Sequence, residues 1–508
     1  MTDHERYEQL LKTIHTVKDL DSVQSLLGWD QRVLMPTNAA AARGETLATV
    51  GKLAHEIFTS EATGELLDQL TSYESSLDPD SDAASIIRVT RQDYEKTQIY
   101  PSEFLAEGAR AGILGYQAWI EARETQDFKA FLPALTRLVD LRRQQIAIYK
   151  NAHPDVADDY DVLLNDFEPL LTAVEVDGVF DRLKQATIPL VQHVVEHADS
   201  VDDSFLNGHF PVEKLEVLSR KIGRSLGTTE EGWRLDPTVH PFASSIALGD
   251  IRLTTKYLES NVFSSYFSTM HEFGHGLYES NVAPALGRTT VQRGASMAWH
   301  ESQSRMWENL VGRGRSHWDW ATPLVQGVFP GQFDSTTPDQ FYRAVNKLGP
   351  SLIRVEADEL TYNLHIILRY ELERDIFANR VELSDLPEAW NAKINDYLGI
   401  PVPNDTLGVM QDVHWGEGLF GYFPTYTLGN VVSLQLWKRI QDEIPDLEGK
   451  ISRGETAELS EWLRSEIHQH GRKFAPKALL QKVLGTDTFD AEPLISYLTK
   501  KVHSLYGD

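Results

Sequence analysis

Two histidines four residues apart, His271 and His275, stand in the stretch STMHEFGHGLYES, with Glu272 directly after the first. On a helix, positions i and i+4 share one face, so both imidazoles can reach a single ion. Glu272 is then rotated by about 100° around the axis. It lies off the ligand line, where it can address a water beside the ion. A bound metal brings the pKa of such a water to about 7. A neighbouring carboxylate can take that proton and pass it to a leaving group. The chemistry these residues suit is metal-assisted hydrolysis. Chance competes with this reading, because random placement yields the pattern in roughly four of a hundred chains of this length and histidine content. The surrounding residues favour a helix: Val262, Tyr266, Met270, Phe273 and Leu277 mark an apolar stripe, with the histidines beside it.

Two histidines do not close a catalytic site, since three protein ligands plus water is usual. The chain has no cysteine, so any ligand is His, Asp or Glu, and disulfides are impossible. The next helical stretch, GASMAWHESQSRMWENL, offers His300 and Glu301. They are adjacent, so only one can face the ion. Arg305, one turn on, could orient Glu301 from behind, but Glu301 and Arg305 also read as an ordinary surface pair. The residues alone leave the third ligand open.

Most windows show helical spacing. Leu360, Leu364, Leu368, Leu372 and Ile376 form an i, i+4 stripe behind the acidic start Asp358-Glu359. FLPALTRLVDLRRQQIAIYKNAH and ELSEWLRSEIHQHG read the same way. One region breaks the pattern. In HPFASSIALGDIRLTTKYLES, Ile251, Leu253, Thr255 and Tyr257 alternate after a Gly249-Asp250 turn signal, which predicts a short hairpin. Ser260 or Asn261 is the expected N-cap of the helix that follows. An exposed strand edge in this position can hold an extended peptide by main-chain hydrogen bonds. SSLDPDSDAAS and PVPNDT read as loops within one unit.

The 508 residues carry a net charge of −27, which argues against nucleic acid or an anionic membrane as the main partner. No run approaches the length of a membrane span, and the charged N-terminal stretch lacks the apolar core of a signal peptide. A cytoplasmic location is the expectation.

Several motifs in the same order resemble the carboxypeptidase Taq family of metallocarboxypeptidases: HPF at His240–Phe242, DIRLT at Asp250–Thr254, HEFGH at His271–His275, HESQ at His300–Gln303, IRVEAD at Ile353–Asp358 and GVMQDVHW at Gly408–Trp415. LLGWDQRVLMP near the start and SEIHQHG near the end also fit, so the resemblance covers nearly the whole chain. It implies a mainly α fold, a large helical metallopeptidase with a deep active-site groove and a small β-sheet or hairpin beside the metal helix. It implies one catalytic unit over 1–508, with about 1–80 covering the groove and about 235–430 holding the metal and substrate site. It implies a divalent ion on His271, His275 and Glu301, with Glu272 as general base. The implied activity is release of single C-terminal amino acids with broad preference and poor action on C-terminal proline. Homodimers are common in the family. Zinc is the expected ion, and cobalt or manganese also suit this ligand set.

A carboxypeptidase must grip a free carboxylate, which the planar guanidinium fork does best. Arg354 is the candidate, since it lies in a shared motif. Taken by itself, it reads as a structural ion pair with Glu356 or Asp358 nearby. Amide hydrolysis also needs a donor for the developing oxyanion. His414 is the candidate, with Tyr422 preferred over Tyr426 for the assisting hydroxyl and Tyr426 assigned to substrate. Core packing is the competing reading for both rings. Asp412 is a candidate orienter of His414. Alternation places Asp250, Arg252 and Thr254 on one strand face. Arg252 and His240 are candidate substrate contacts, and a structural salt bridge of Asp250 is the plain alternative. An endo-oligopeptidase or dipeptidyl carboxypeptidase on a similar helical fold is the competing activity. A helical scaffold without catalysis would be expected to have lost these ligands. Gly274, costly inside a helix, is expected at a close approach to a neighbouring element.

Overall fold

In the computed structural model, which describes residues 1–507, helices dominate and a single three-stranded sheet interrupts them. The chain falls into two compact units of three segments each. The first comprises Met1–Gln98, Ser204–Val345 and Trp437–Asp487; the second comprises Ile99–Asp203, Asn346–Leu436 and Thr488–Asp508. No helix among the described residues is long and apolar enough to cross a membrane.

In the first unit, helix α1 (Asp3–Val33) opens on a capping box in which Thr2 and Glu5 satisfy each other's backbone amides. Its Leu10 and Ile14 pack with Leu67, Leu70, Ile86, Ile87, Val282 and Val291 in one buried cluster. Helix α2 (Val212–Leu226) ends at Gly227 in the left-handed region. The sheet follows: β1 (Trp233–Pro237), β2 (Ala243–Ala247) and β3 (Asp250–Thr255), in the order β1-β3-β2.

The predicted hairpin is β2–β3, antiparallel, with Gly249 at φ +85° in the turn. The parallel strand β1 was not foreseen. Its register puts Trp233 against Ile251 and Leu235 against Leu253, and no turn signal in the sequence announces a pairing made across that separation.

Helix α3 (Ser264–Ser280) carries the two histidines and packs on α2, β2 and β3. Asn261 Oδ1 accepts from the amides of Phe263 and Ser264 at 3.0 and 3.1 Å in the turn ahead of the helix, but the N-cap position is Phe263, which has no side-chain cap, so neither Ser260 nor Asn261 occupies it. Helix α4 (Met297–Arg305) is capped by Ser296 Oγ, which accepts from the Trp299 amide. It runs on into a π-helical turn, Met306–Gly312. Such turns widen the helix and re-aim side chains, often at functional sites.

In the second unit, helix α5 (Tyr362–Phe377) contains Leu364, Leu368, Leu372 and Ile376 of the predicted stripe, while Leu360 lies just ahead of it; all five are buried. A neighbouring face is buried as well: His365, Arg369 and Glu373, spaced four apart, are each 0% exposed.

Candidate active site

The two glycines of HEFGHG explain how α3 is seated. A Cβ on Gly274 would lie 2.5 Å from the Gln303 carbonyl oxygen and 2.6 Å from Ser304 Cα, so the helix meets the backbone of α4 there. A Cβ on Gly276 would lie 2.6 Å from the Trp233 ring and 2.7 Å from Ile251 on the other side. The close approach expected at Gly274 is therefore an α3–α4 contact. It brings the ligand helix against the one that carries Glu301.

His271, His275 and Glu301 each offer one ligand atom, and these atoms lie within 4.8 Å of one another. Glu301 Oε2 is 3.8 Å from His271 Nε2 and 3.6 Å from His275 Nε2. Such spacing leaves room for one ion among two imidazoles and a carboxylate, a donor set suited to zinc-like cations. The groups behind the ligands are in place too. His271 Nδ1 is 2.9 Å from Glu308 Oε2, on the π-helical turn. Arg305 Nε donates to Glu301 Oε1 at 2.6 Å, and its Nη1 lies 3.3 Å from Glu308. Ser304 Oγ donates to Glu301 Oε2 at 3.2 Å. The Glu301–Arg305 pair is buried behind the ligand atoms rather than exposed on the surface. His300, the neighbour that competed with Glu301, turns away to meet His275 Nδ1 and Glu279.

The charges explain the protonation preferences. Burial lowers the affinity of His271 for a proton, but Glu301 and Glu308 outweigh it and push the ring up to about 9 in the absence of a cation. Burial, with the positive charge of His271 adding, holds His275 well below the usual range. Glu308 is also buried, yet Arg305 and His271 keep its carboxyl well below the usual carboxylate range. Burial, opposed by His271 and reinforced by Glu301 and Glu308, pushes Glu272 up to about 7. Glu272 is 5% exposed, and its carboxyl makes no hydrogen bond among the described residues.

The other sequence candidates gather in the second unit around Asp412. Arg354 Nε and Nη2 both donate to Asp412 Oδ1, at 3.0 and 2.8 Å, and Nη1 donates to the Tyr362 hydroxyl at 3.1 Å. Arg369 Nε donates to Asp412 Oδ2 at 2.6 Å. The ion pair expected with Glu356 or Asp358 is made with Asp412 instead. Asp358 accepts from the amides of Leu360 and Thr361, the start of α5.

Asp412, held between two guanidiniums, does not hydrogen-bond His414: its nearer oxygen is 4.0 Å from Nδ1. His414 Nε2 faces the Tyr426 hydroxyl at 3.2 Å, whereas Tyr422 contacts His414 by its ring, at a centroid distance of 5.5 Å. Burial, only partly offset by Asp412, lowers His414 to about 4, so the ring is neutral at pH 7.

The Gly-rich loop that carries His414 is tied down by residues the sequence reading passed over. Glu373 accepts from the Tyr160 hydroxyl at 2.5 Å, Trp415 Nε1 at 2.7 Å and the Gly421 amide at 2.8 Å. Gly421 has φ +86°, and a Cβ there would strike the Leu163 backbone at 2.6 Å. Trp119 Nε1 and Arg142 Nε donate to the carbonyls of Met410 and Gly418. Arg369 and Glu373 sit one turn apart on α5, so one rigid element holds the loop at Asp412, Trp415 and Gly421.

The remaining candidates lie in the first unit. Arg252 makes a two-point pair with Asp250 on its own strand, both contacts at 2.9 Å, and its guanidinium carbon sits 4.5 Å from the Trp29 ring centroid. His240 is exposed in the loop ahead of β2.

Two imidazoles and a carboxylate about one ion-sized gap, with an unengaged buried carboxyl beside them, define a metal-dependent hydrolase. Comparison with known proteins specifies it further. The family description "Carboxypeptidase Taq (M32) metallopeptidase" matches residues 9–502. Carboxypeptidase 1 of Bacillus subtilis (strain 168) is 38% identical over 510 residues, covering 100% of both chains. Thermostable carboxypeptidase 1 of Thermus thermophilus is 38% identical over 512 residues, again with 100% of both covered. The crystal structure of the M32 carboxypeptidase from Deinococcus radiodurans R1 superposes with a TM-score of 0.95 at 37% identity, covering 99% of this chain and 100% of that one. The chain belongs to the carboxypeptidase Taq (M32) family. It is a metallocarboxypeptidase, a peptide hydrolase.

Proposed function

We propose that the protein releases single amino acids from peptides with a free C-terminus, with broad preference and poor action on C-terminal proline. The ion is held by His271, His275 and Glu301, and zinc is the first choice, ahead of cobalt or manganese. The observation that carries the reading is the convergence of those three ligand atoms beside the unengaged Glu272 carboxyl. A divalent cation there supplies Lewis acidity and an acidified water.

The chain's own groups have separate tasks. Glu272 takes a proton from water and returns it to the departing amine. An affinity near pH 7 suits a group that must do both, and a cation beside it favours the ionised form. Glu308 fixes the His271 ring, and Arg305 with Ser304 fixes Glu301. His414, neutral and in contact with the Tyr426 hydroxyl, donates to the oxygen that gains charge, with Tyr422 as its ring neighbour. Arg354 takes the terminal carboxylate. Asp412 holds its guanidinium plane still, so little side-chain freedom is lost on binding. Arg252, fixed by Asp250 and Trp29, and the exposed His240 complete the peptide contacts. The working form is a homodimer in the cytoplasm, without nucleic acid or membrane partners.

The test is metal analysis of the purified protein alongside Glu272→Gln. One ion per chain is expected in both proteins. Turnover of the variant should fall by about 10²–10⁴-fold, the usual worth of a general base. Unchanged turnover defeats the assignment of Glu272.

A further inference from the structure

The two metal histidines are held from behind by different chemistry. His271 meets a carboxylate directly, whereas His275 meets another histidine. We propose that Glu279 and His300 are positioning residues that fix the tautomer of His275 and thereby set the affinity of the centre for its ion.

The donor and acceptor rules leave little choice. Glu279 Oε1 lies 2.7 Å from His300 Nε2. A carboxylate only accepts, so His300 carries its proton on Nε2 and presents a lone pair at Nδ1. His275 Nδ1 is 3.4 Å from that atom. It must therefore be the protonated nitrogen of His275. The lone pair of His275 is then left on Nε2, the atom that faces Glu301 at 3.6 Å. The opposite tautomer would point an N–H at the ion. The assignment is the one that leaves His275 Nε2 free to bind an ion, as a metal-binding imidazole must.

The relay is built into the fold rather than resting on loose surface groups. The Gly294 amide donates to the same Glu279 oxygen at 3.0 Å, which keeps that carboxylate in place. A Cβ on Gly294 would lie 2.6 Å from His300 Cδ2 and 2.7 Å from Nε2, so the imidazole occupies the space that any side chain there would need. The Tyr278 ring packs at 5.0 Å from that of His300, and its hydroxyl accepts from the Ala295 amide at 3.1 Å. His300 and Glu279 are both largely enclosed.

The inference rests on the reading of His275 as a ligand, and its test separates the two. Zn²⁺ affinity is measured by competition with a chromogenic chelator for wild type, His300→Phe, His300→Gln, Glu279→Ala and the double variant His300→Phe/Glu279→Ala. His300→Phe should weaken binding by about 10–100-fold, the usual cost of losing such a partner. His300→Gln restores an acceptor oxygen and should recover part of that loss. Glu279→Ala should weaken binding less than His300→Phe. The double variant should match His300→Phe, because the relay is already cut. The d–d spectrum of the Co²⁺-loaded protein should shift in His300→Phe, which a purely structural role would not produce. Glu279→Ala, which leaves the ring packing in place, carries the test should His300→Phe not fold. A dissociation constant for His300→Phe within about twofold of wild type overturns the proposal, as do losses that multiply in the double variant. Wild type that binds no Zn²⁺ overturns the ligand reading itself.

Discussion

The proposed metal centre of the first unit and the Asp412 cluster of the second are both buried, polar and crowded with charge, yet they are assembled differently. The centre is drawn from α3 and from α4 with its π-helical extension, and its ligands sit four residues apart or one helix away. The cluster is drawn from Arg354, from α5 and from a Gly-rich loop, and its order depends on Arg369 and Glu373 reaching across to that loop. In the first, carboxylates surround a site for a cation. In the second, two guanidiniums enclose one carboxylate. On the proposed reading, one region holds a positive ion and the other presents fixed positive charge and a neutral imidazole. Changes in the two regions should therefore fail in different ways.

Glu301→Ala should have the largest effect, because it removes a ligand together with the carboxylate to which Arg305 Nε donates. Stoichiometric metal and activity should both disappear, as read by metal analysis and peptide assay. Retention of the ion would break the contrast at its root. His414→Ala should keep the ion but lower kcat by about 10²–10³-fold, the range for loss of an oxyanion donor. Arg354→Ala should also keep the ion but raise KM, and its melting temperature should fall, since breaking a buried pair costs about 3–5 kcal/mol. Near-wild-type kinetics in either variant would remove that residue from the substrate site.

Gly274→Ala tests the α3–α4 contact and should destabilise by about 1–3 kcal/mol, as overpacking does. Thermal melts would show it, and Zn²⁺ affinity should weaken as the ligand helices are forced apart. The smallest effect concerns pH. Burial pushes Glu373 up to about 7, above the usual carboxylate range. Stability from this group is therefore complete below the unfolded value and is lost as pH rises through about 7. In Glu373→Gln that slope is absent, so the stability gap between the proteins should change between pH 4 and 8 in chemical melts at about half-unit steps. A constant gap would mean that Glu373 does not titrate with folding.

The metal helix was readable because its chemistry is local. Ligands at i and i+4, an apolar stripe and a costly glycine all lie within one short stretch. The hairpin was readable for the same reason, through alternation and a Gly-Asp turn. Glu301 could be chosen over His300 only through the family resemblance, since adjacent residues differ by a rotation that one sequence does not reveal. Glu308 was invisible because its reach to His271 depends on a π-helical turn, which has no composition signal. Strand β1 pairs in parallel across the β2–β3 hairpin, a contact that no neighbouring residue announces. Arg369 and Glu373 are charged residues that no motif in the sequence marks as buried. Their burial follows from tertiary packing around α5, which the local residue pattern does not announce.

The central claim is that an ion held by His271, His275 and Glu301 drives hydrolysis confined to the C-terminal bond. The direct test follows, by mass spectrometry, one peptide supplied with a free and with an amidated C-terminus, using metal-loaded protein and the same protein stripped by chelator. Metal-loaded protein should give a ladder of single-residue losses from the free peptide and no cleavage of the amidated one, and the stripped protein should give no ladder until metal is restored. Internal cleavage of the amidated peptide, or a ladder that persists in the stripped enzyme, would contradict it.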